Sequence, residues 1–473
     1  MRPWSLLHAV LACAAAAALA GPRAAAAAPP PAAVVIGAGL AGLKAAADLA
    51  SRGYAVTVLE GRDRTGGRVW TQSSPTGPLE LGAQWIHGTD NPLMGLAKGQ
   101  RWELVPSDLE DGVDMEAASA SSASEVPQDT QARVARREEW DGLFDDLQAF
   151  VERAADEAGP AISVAAAVDT FAEAQRLPPR ARAGLAFRVE SAWTQEFGAD
   201  PYQLSLAHFS EGRELDGGDS IVATGLTAAL IDPLVAAVKA RGGRVLLGHT
   251  VSAVATGAGG VQVTANGKDF AAAFAVVAVP VGVLQAGAVA FAPPLPPDKL
   301  SALGRVGCGT LNKVLLTFPR SARLPAAEWV HRLPLASDRG RWREFFSLRK
   351  ATGRPVVVAF NAGDAARYPA STSDQSLVAG ALAALRAMFG PANIPDPTAS
   401  AVTRWHSDPF SLGSYSFLKV GARGDERRLL AAPVGRRLFF AGEGTSARAP
   451  ATLQGAWESG AAAAAAAAAA NPA

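Results

Sequence analysis

Residues 32–60 read AAVVIGAGLAGLKAAADLASRGYAVTVLE. The apolar, β-branched run at 32–36 predicts a buried strand, ended by Gly37. Residues 37–42 (GAGLAG) then open a helix that runs from Leu43 to about Ser51 and stops at Arg52 and Gly53. Residues 54–59 predict a second strand, closed by Glu60. The spacing suits a dinucleotide. Gly37 permits the tight turn, Gly39 lets the backbone approach a pyrophosphate, and Gly42 lets helix and strand pack closely. The helix N-terminus offers free N–H groups and partial positive charge to phosphates. Glu60 can accept hydrogen bonds from a ribose diol. A lone GxGxxG is weak evidence, but here both strands, the helix and the acid accompany it.

The bulk numbers are compatible with such an enzyme. A chain of 473 residues with 49% hydrophobic content can build two interwoven domains with real cores. Lys+Arg and Asp+Glu both total 44, and this balance argues against a dedicated nucleic-acid binder. Arg2 precedes an apolar run at 6–20 and then small residues, which predicts a signal or targeting peptide over 1–28. The expected destination is the secretory pathway, with organelle import as the other possibility. The run is short of the roughly 20 residues a membrane span needs, so no anchor is expected in the mature chain. Cys308 would be left alone there and can form no internal disulfide. No metal site is expected. The acidic runs at 108–116 and 138–146 read as solvated surface.

Residues 60–68 (EGRDRTGGR) place basic residues around a Gly-Gly pair, directly after Glu60. This segment resembles the second motif of the flavin amine oxidase superfamily, and the resemblance runs from about residue 32 to 470. It implies an α/β fold: a Rossmann-like FAD-binding domain (32–108, 241–300 and 403–473) interleaved with an α+β substrate-binding domain (109–240 and 301–402). It also implies FAD contacts at Glu60, Arg62 and Arg68, with Arg64 the weaker candidate. Residues 80–88 (ELGAQWIHG) resemble the segment laid beside the flavin ring, with Gly82 and Ala83 small enough for backbone contact. Trp85 and His87 then face the substrate channel. Residues 245–254, 260–264 and 276–279 predict strands, and Val251 matches a residue at the adenine.

Residues 311–318 (LNKVLLTF) predict an apolar strand interrupted by Lys313, and a lysine in that setting needs a partner. In the family the lysine here holds a water at the flavin. Residues 403–417 (TRWHSDPFSLGSYSF) resemble the segment that sets Trp405 beside the flavin and makes Tyr415 a wall of the amine site. Residues 439–445 (FFAGEGT) bring Gly442 and Glu443 to FAD, and 451–456 (ATLQGA) bring Thr452 and Leu453. The alanine tract at 461–470 is expected to continue the last helix. Glu196, in 196–201 (EFGADP), resembles a substrate-facing carboxylate that would pair with a polyamine charge.

Departures refine the resemblance. Ser414 stands where monoamine oxidases bond the flavin through cysteine, so FAD is expected to be non-covalent. Thr452 stands where they have a second cage tyrosine. That pattern is closer to animal-type polyamine oxidases and flavin histone demethylases. Ala449 and Gln454 replace a tyrosine and a histidine frequent in relatives. Demethylase-type members add a coiled-coil insertion and an N-terminal domain, and only 31 residues precede Ala32, so the expectation turns away from them. The resemblance implies oxidation of polyamines by oxygen to an aldehyde, a shorter amine and hydrogen peroxide, with Lys313, His87 and Tyr415 as the catalytic group. Glu196, Trp85 and Thr452 would bind substrate. Two readings stay open: an L-amino-acid oxidase, which needs an arginine clamp, and a flavin-binding homologue without activity. The oligomeric state is left open.

Overall fold

The computed structural model describes residues 30–107, 111–115, 130–212, 215–333, 341–369 and 371–472. The expected leader at 1–28 lies outside the described residues. Ala32–Ile36 is a strand with strands on both sides. It sits at the centre of a five-stranded sheet, in the order Leu438–Phe440, Phe274–Val277, Ala32–Ile36, Ala55–Leu59 and Arg244–Leu246, every pairing parallel.

Its two faces explain why the run is apolar throughout. Ala33 and Val35 join a cluster with Leu43, Leu49 and Ala464, on helices Leu40–Ser51 and Leu453–Ala470. Val34 and Ile36 turn the other way and pack on Val254, Val261 and Val263 of a four-stranded sheet. A parallel strand covered on both sides has no polar face to alternate with. The predicted FAD-type α/β core is therefore present, and the alanine tract is helical through Ala470. Gly460 explains how closely the two helices approach: a Cβ there would overlap the Ala41 carbonyl oxygen.

One expected strand divides. Residues 245–254 form two strands, Arg244–Leu246 on the parallel sheet and Val251–Gly257 in the four-stranded sheet. The chain turns between them at Gly248, whose φ is +64. The turn is held as the N–H groups of Gly248 and His249 donate to the carbonyls of Arg62 and Glu60, at 2.8 and 2.7 Å.

The second layer is a six-stranded sheet in the order Ala399–Val402, Leu311–Thr317, Val356–Ala362, Glu344–Ser347, Trp329–Arg332 and Gly112–Met115. All pairings but the last are antiparallel. Helices Thr130–Glu157, Val164–Ala174 and Pro179–Val189 form a further layer. Pro179–Val189 runs on into a π-helical turn, Glu190–Thr194, and then Gln195–Phe197. Gly198 ends it at φ +59, packed so tightly that a Cβ would lie 2.8 Å from the Thr310 nitrogen. Among the described residues no helix is long and apolar enough to cross a membrane, and no group of His, Cys, Asp and Glu is arranged to hold a metal ion.

Candidate active site

One cavity of about 1650 Å³ runs from the glycine loop to the helical layer. At its first end, Gly37 has φ +103, and a Cβ would lie 2.8 Å from the Ala278 carbonyl oxygen. The Leu40–Ser51 helix begins at Gly39 with no side-chain cap, so its first amides remain available to a phosphate. Glu60 is buried at the tip of Ala55–Leu59. The Ala38 N–H donates to its Oε2 at 2.8 Å and the Arg62 N–H to its Oε1 at 3.0 Å. That fixes the carboxylate at the loop, with lone pairs left for a ribose diol. These features fit a dinucleotide. Gly42 does not line the cavity. It sits behind, where a Cβ would overlap the Gly37 carbonyl oxygen, so its part is helix–strand packing.

The basic residues of the second loop are anchored by acids from the far end of the chain. Arg62 donates to Asp408 at 2.6 Å and to Ser411 at 2.9 Å. Arg68 donates to Glu443 at 2.8 Å and to the Ser414 carbonyl at 2.8 Å. Glu443 also accepts from the Ser416 hydroxyl at 2.6 Å and the Ala451 N–H at 3.0 Å. Burial works against its charge, but Arg68, Ser416 and Arg427 outweigh it and hold the carboxyl below the usual glutamate range. Arg64 does not reach the cavity wall; it lies 4.3 Å from the Trp70 ring centre, and burial pushes its pKa down to about 10.

In the middle, a Cβ on Gly82 would overlap the Arg68 carbonyl oxygen, so only glycine brings this backbone against Trp405. The Trp405 indole N–H donates to the Leu81 carbonyl at 3.2 Å. Lys313 lies beneath. Its ammonium donates to the carbonyls of Glu80 and Gly82 and to Gln84 Oε1, at 3.0, 2.8 and 2.9 Å. Those bonds engage all three of its protons. Burial pushes its pKa down to about 7 against the pull of the Glu80 carboxyl. Lys313 therefore braces the segment 80–84.

Beyond it lies the wall expected to meet substrate. His87 Nδ1 is 2.9 Å from Asp219 Oδ2. The Tyr415 hydroxyl donates to the Gln195 carbonyl at 2.5 Å, and burial and the Glu196 carboxyl push its pKa far above the usual tyrosine range. Burial pushes the Glu196 carboxyl up as well, with His87 opposing. Trp85 stacks on Trp329 with centroids 5.7 Å apart. Thr452 caps the last helix: its hydroxyl oxygen accepts from the Gly455 N–H and donates to the Ala449 carbonyl, both at 3.0 Å. Gln454 donates to the His87 carbonyl.

Every expected site residue except Gly42 and the weaker candidate Arg64 lines this one cavity, including Leu40, Ala83, Val251, Gly442 and Leu453. Sequence reasoning missed Asp219, which carries no motif and becomes visible only through its partner His87. It also read Asp141 and Asp145 as solvated, whereas both stand on the cavity wall. Among the described residues, one arginine lines the substrate end, Arg188, and it pairs with Asp141 at 2.7 Å.

The description "Flavin containing amine oxidoreductase" belongs to the family that matches residues 40–468. A rice (Oryza sativa subsp. indica) protein, Lysine-specific histone demethylase 1 homolog 3, is 34% identical over 464 residues, covering 90% of this chain and 52% of that protein. Polyamine oxidase 2 of Arabidopsis thaliana is 33% identical over 443 residues, covering 90% of this chain and 86% of that protein. The chain thus spans about half the length of the demethylases it matches, and identity does not set it apart from them. A putrescine oxidase structure shares the fold, with a TM-score of 0.71 at 20% identity over 92% of this chain and 98% of that one.

Proposed function

The chain belongs to the flavin-containing amine oxidoreductases, and within that family we propose that it oxidises polyamines to an aldehyde and a shorter amine, with oxygen reduced to hydrogen peroxide. The observation that carries this reading is the Glu196 carboxylate, which shares the cavity wall with Tyr415 and His87 and interacts electrostatically with both. An acid open to the cavity beside an aromatic wall suits a cationic amine. FAD, when bound, would provide hydride acceptance and electron transfer to oxygen.

This chain's residues do the rest. A substrate arrives as an ammonium and must react as a neutral amine. His87 donates its Nδ1 proton to Asp219, which leaves Nε2 as a proton acceptor at the cavity. Tyr415, fixed by the Gln195 carbonyl, closes one side of the amine site. Lys313 holds the Gly82 carbonyl and with it the backbone that packs beside Trp405. Ser414 exchanges hydrogen bonds with Leu311 at 2.8 and 2.9 Å and supplies no thiol, in keeping with non-covalent FAD.

A second reading, oxidation of a methylated lysine side chain in a peptide, draws on the equal identity to demethylases. A peroxide assay on spermine, spermidine, their acetylated forms, amino acids and a dimethyl-lysine peptide separates these. We expect peroxide from polyamines. Peroxide from the peptide alone, or from amino acids alone, would overturn the polyamine reading. Silence throughout with flavin bound would favour a binding protein.

A further inference from the structure

Arg427, on helix Glu426–Ala431, stands behind the cavity rather than on its wall and is only 3% exposed. Its guanidinium nonetheless holds two segments that do line the cavity. Nε and Nη2 donate to the two carboxylate oxygens of Glu211, at 2.6 and 2.5 Å. Nη1 donates to the Ser416 hydroxyl oxygen at 2.8 Å, and that hydroxyl donates to Glu443 Oε2 at 2.6 Å. Glu443 in turn meets Arg68 through its other oxygen. Charges therefore alternate along one row, Glu211, Arg427, Glu443 and Arg68, with the Ser416 hydroxyl linking the middle two.

A hydroxyl has one proton to give. Because Arg427 donates to the Ser416 oxygen, that proton is turned away from the guanidinium and towards Glu443. The other arm of Arg427 reaches the amine end. Glu211 follows Phe209, whose ring centre lies 4.8 Å from that of Trp193 and 5.1 Å from that of Phe197, on the helical run that carries Glu196. Gly212 comes next, so close to Pro450 that a Cβ would lie 2.9 Å from its Cδ. The Ala451 N–H, one residue on, donates to Glu443. A buried ion pair is weak evidence for stability, since apolar side chains of similar volume frequently do as well. The connections of this pair give it another use.

We propose that Arg427 is a positioning residue: through Ser416 it holds the Glu443 carboxylate in place for the flavin, and through Glu211 it keys that acid to the wall beside Glu196. The proposal concerns flavin binding and is independent of which amine is oxidised.

The double variant Glu211→Met/Arg427→Met removes both charges together, so its flavin-free form should melt close to wild type. A merely structural pair would thus be replaced without loss. We expect instead that flavin, titrated into the apoprotein and followed by fluorescence quenching, binds about tenfold more weakly, the worth of one charge-assisted hydrogen bond. Ser416→Ala, which cuts only the link, should lose about as much, and the triple variant no more than either. Wild-type flavin affinity in the double variant overturns the proposal, and so do losses that add. If the double variant fails to fold, Arg427→Lys replaces it. The ammonium keeps the charge but not the planar fork that spans Glu211 and Ser416. Flavin affinity should then fall in the otherwise wild-type chain and not in the Ser416→Ala background. An equal fall in both, or in neither, overturns the assignment.

Discussion

Arg68 and Glu443, 375 positions apart in the chain, meet at 2.8 Å and tie the loop after the second parallel strand to the turn after the last one. Breaking such a buried pair leaves an uncompensated charge and costs about 3–5 kcal/mol. Glu443→Gln should therefore lower the melting temperature by several degrees. The pH dependence follows from the depressed pKa of Glu443. Its stabilisation is full above the ordinary glutamate pKa of about 4.3 and is lost as pH falls through the lower folded value. Melting curves of wild type and variant should accordingly converge in acid. A gap that widens there would contradict the assignment.

Flavin affinity should depend on Glu60. Glu60→Ala removes a charge-assisted acceptor worth about 1.5–3 kcal/mol. We expect a loss of about 10- to 100-fold, read as recovered flavin fluorescence on dilution. Unchanged affinity would place the ribose elsewhere.

Lys313→Met removes the brace under segment 80–84. Stopped-flow traces should show anaerobic flavin reduction or reoxidation by oxygen slowed by about 100-fold. If both half-reactions keep their wild-type rates, the lysine has no part in the chemistry.

Tyr415 separates ring from hydroxyl. Tyr415→Phe loses one hydrogen bond, to the Gln195 carbonyl. That is about 1 kcal/mol, or a few-fold in kcat/KM. Tyr415→Ala also loses the aromatic wall and should fall by about a further tenfold or more. Equal losses in the two variants would show that the ring contributes nothing.

Gly460→Ala inverts a usual rule. In a helix interior alanine is ordinarily better than glycine by about 0.5–1 kcal/mol. Here the added methyl meets the Ala41 carbonyl, and overpacking costs about 1–3 kcal/mol. The variant should melt lower at fixed flavin concentration. A higher melting temperature would mean that the two helices do not pack this closely.

The sequence made some of this plain because single residues betray a local demand. Gly37 marks a turn that only glycine makes well, and Lys313 is conspicuous in an apolar strand. What stayed hidden depends on which strands meet. Asp219 matters because it lies opposite His87 from 132 positions away, and nothing in its own neighbourhood says so. Asp141 sits in a charged run, and such runs are usually solvated. The division at residues 245–254 was signalled by Gly248, but the surrounding apolar run masked it.

The order of the parallel sheet also sets a timetable for synthesis. Ala32–Ile36 leaves the ribosome early, yet one neighbour, Phe274–Val277, comes from mid-chain, and the outer strand Leu438–Phe440 and the covering helix Leu453–Ala470 come last. Until then Val34 and Val35 belong to an unfinished, sticky edge. Cofactor loading must wait for the final segment, so premature termination late in the message should yield aggregates rather than a partly active enzyme.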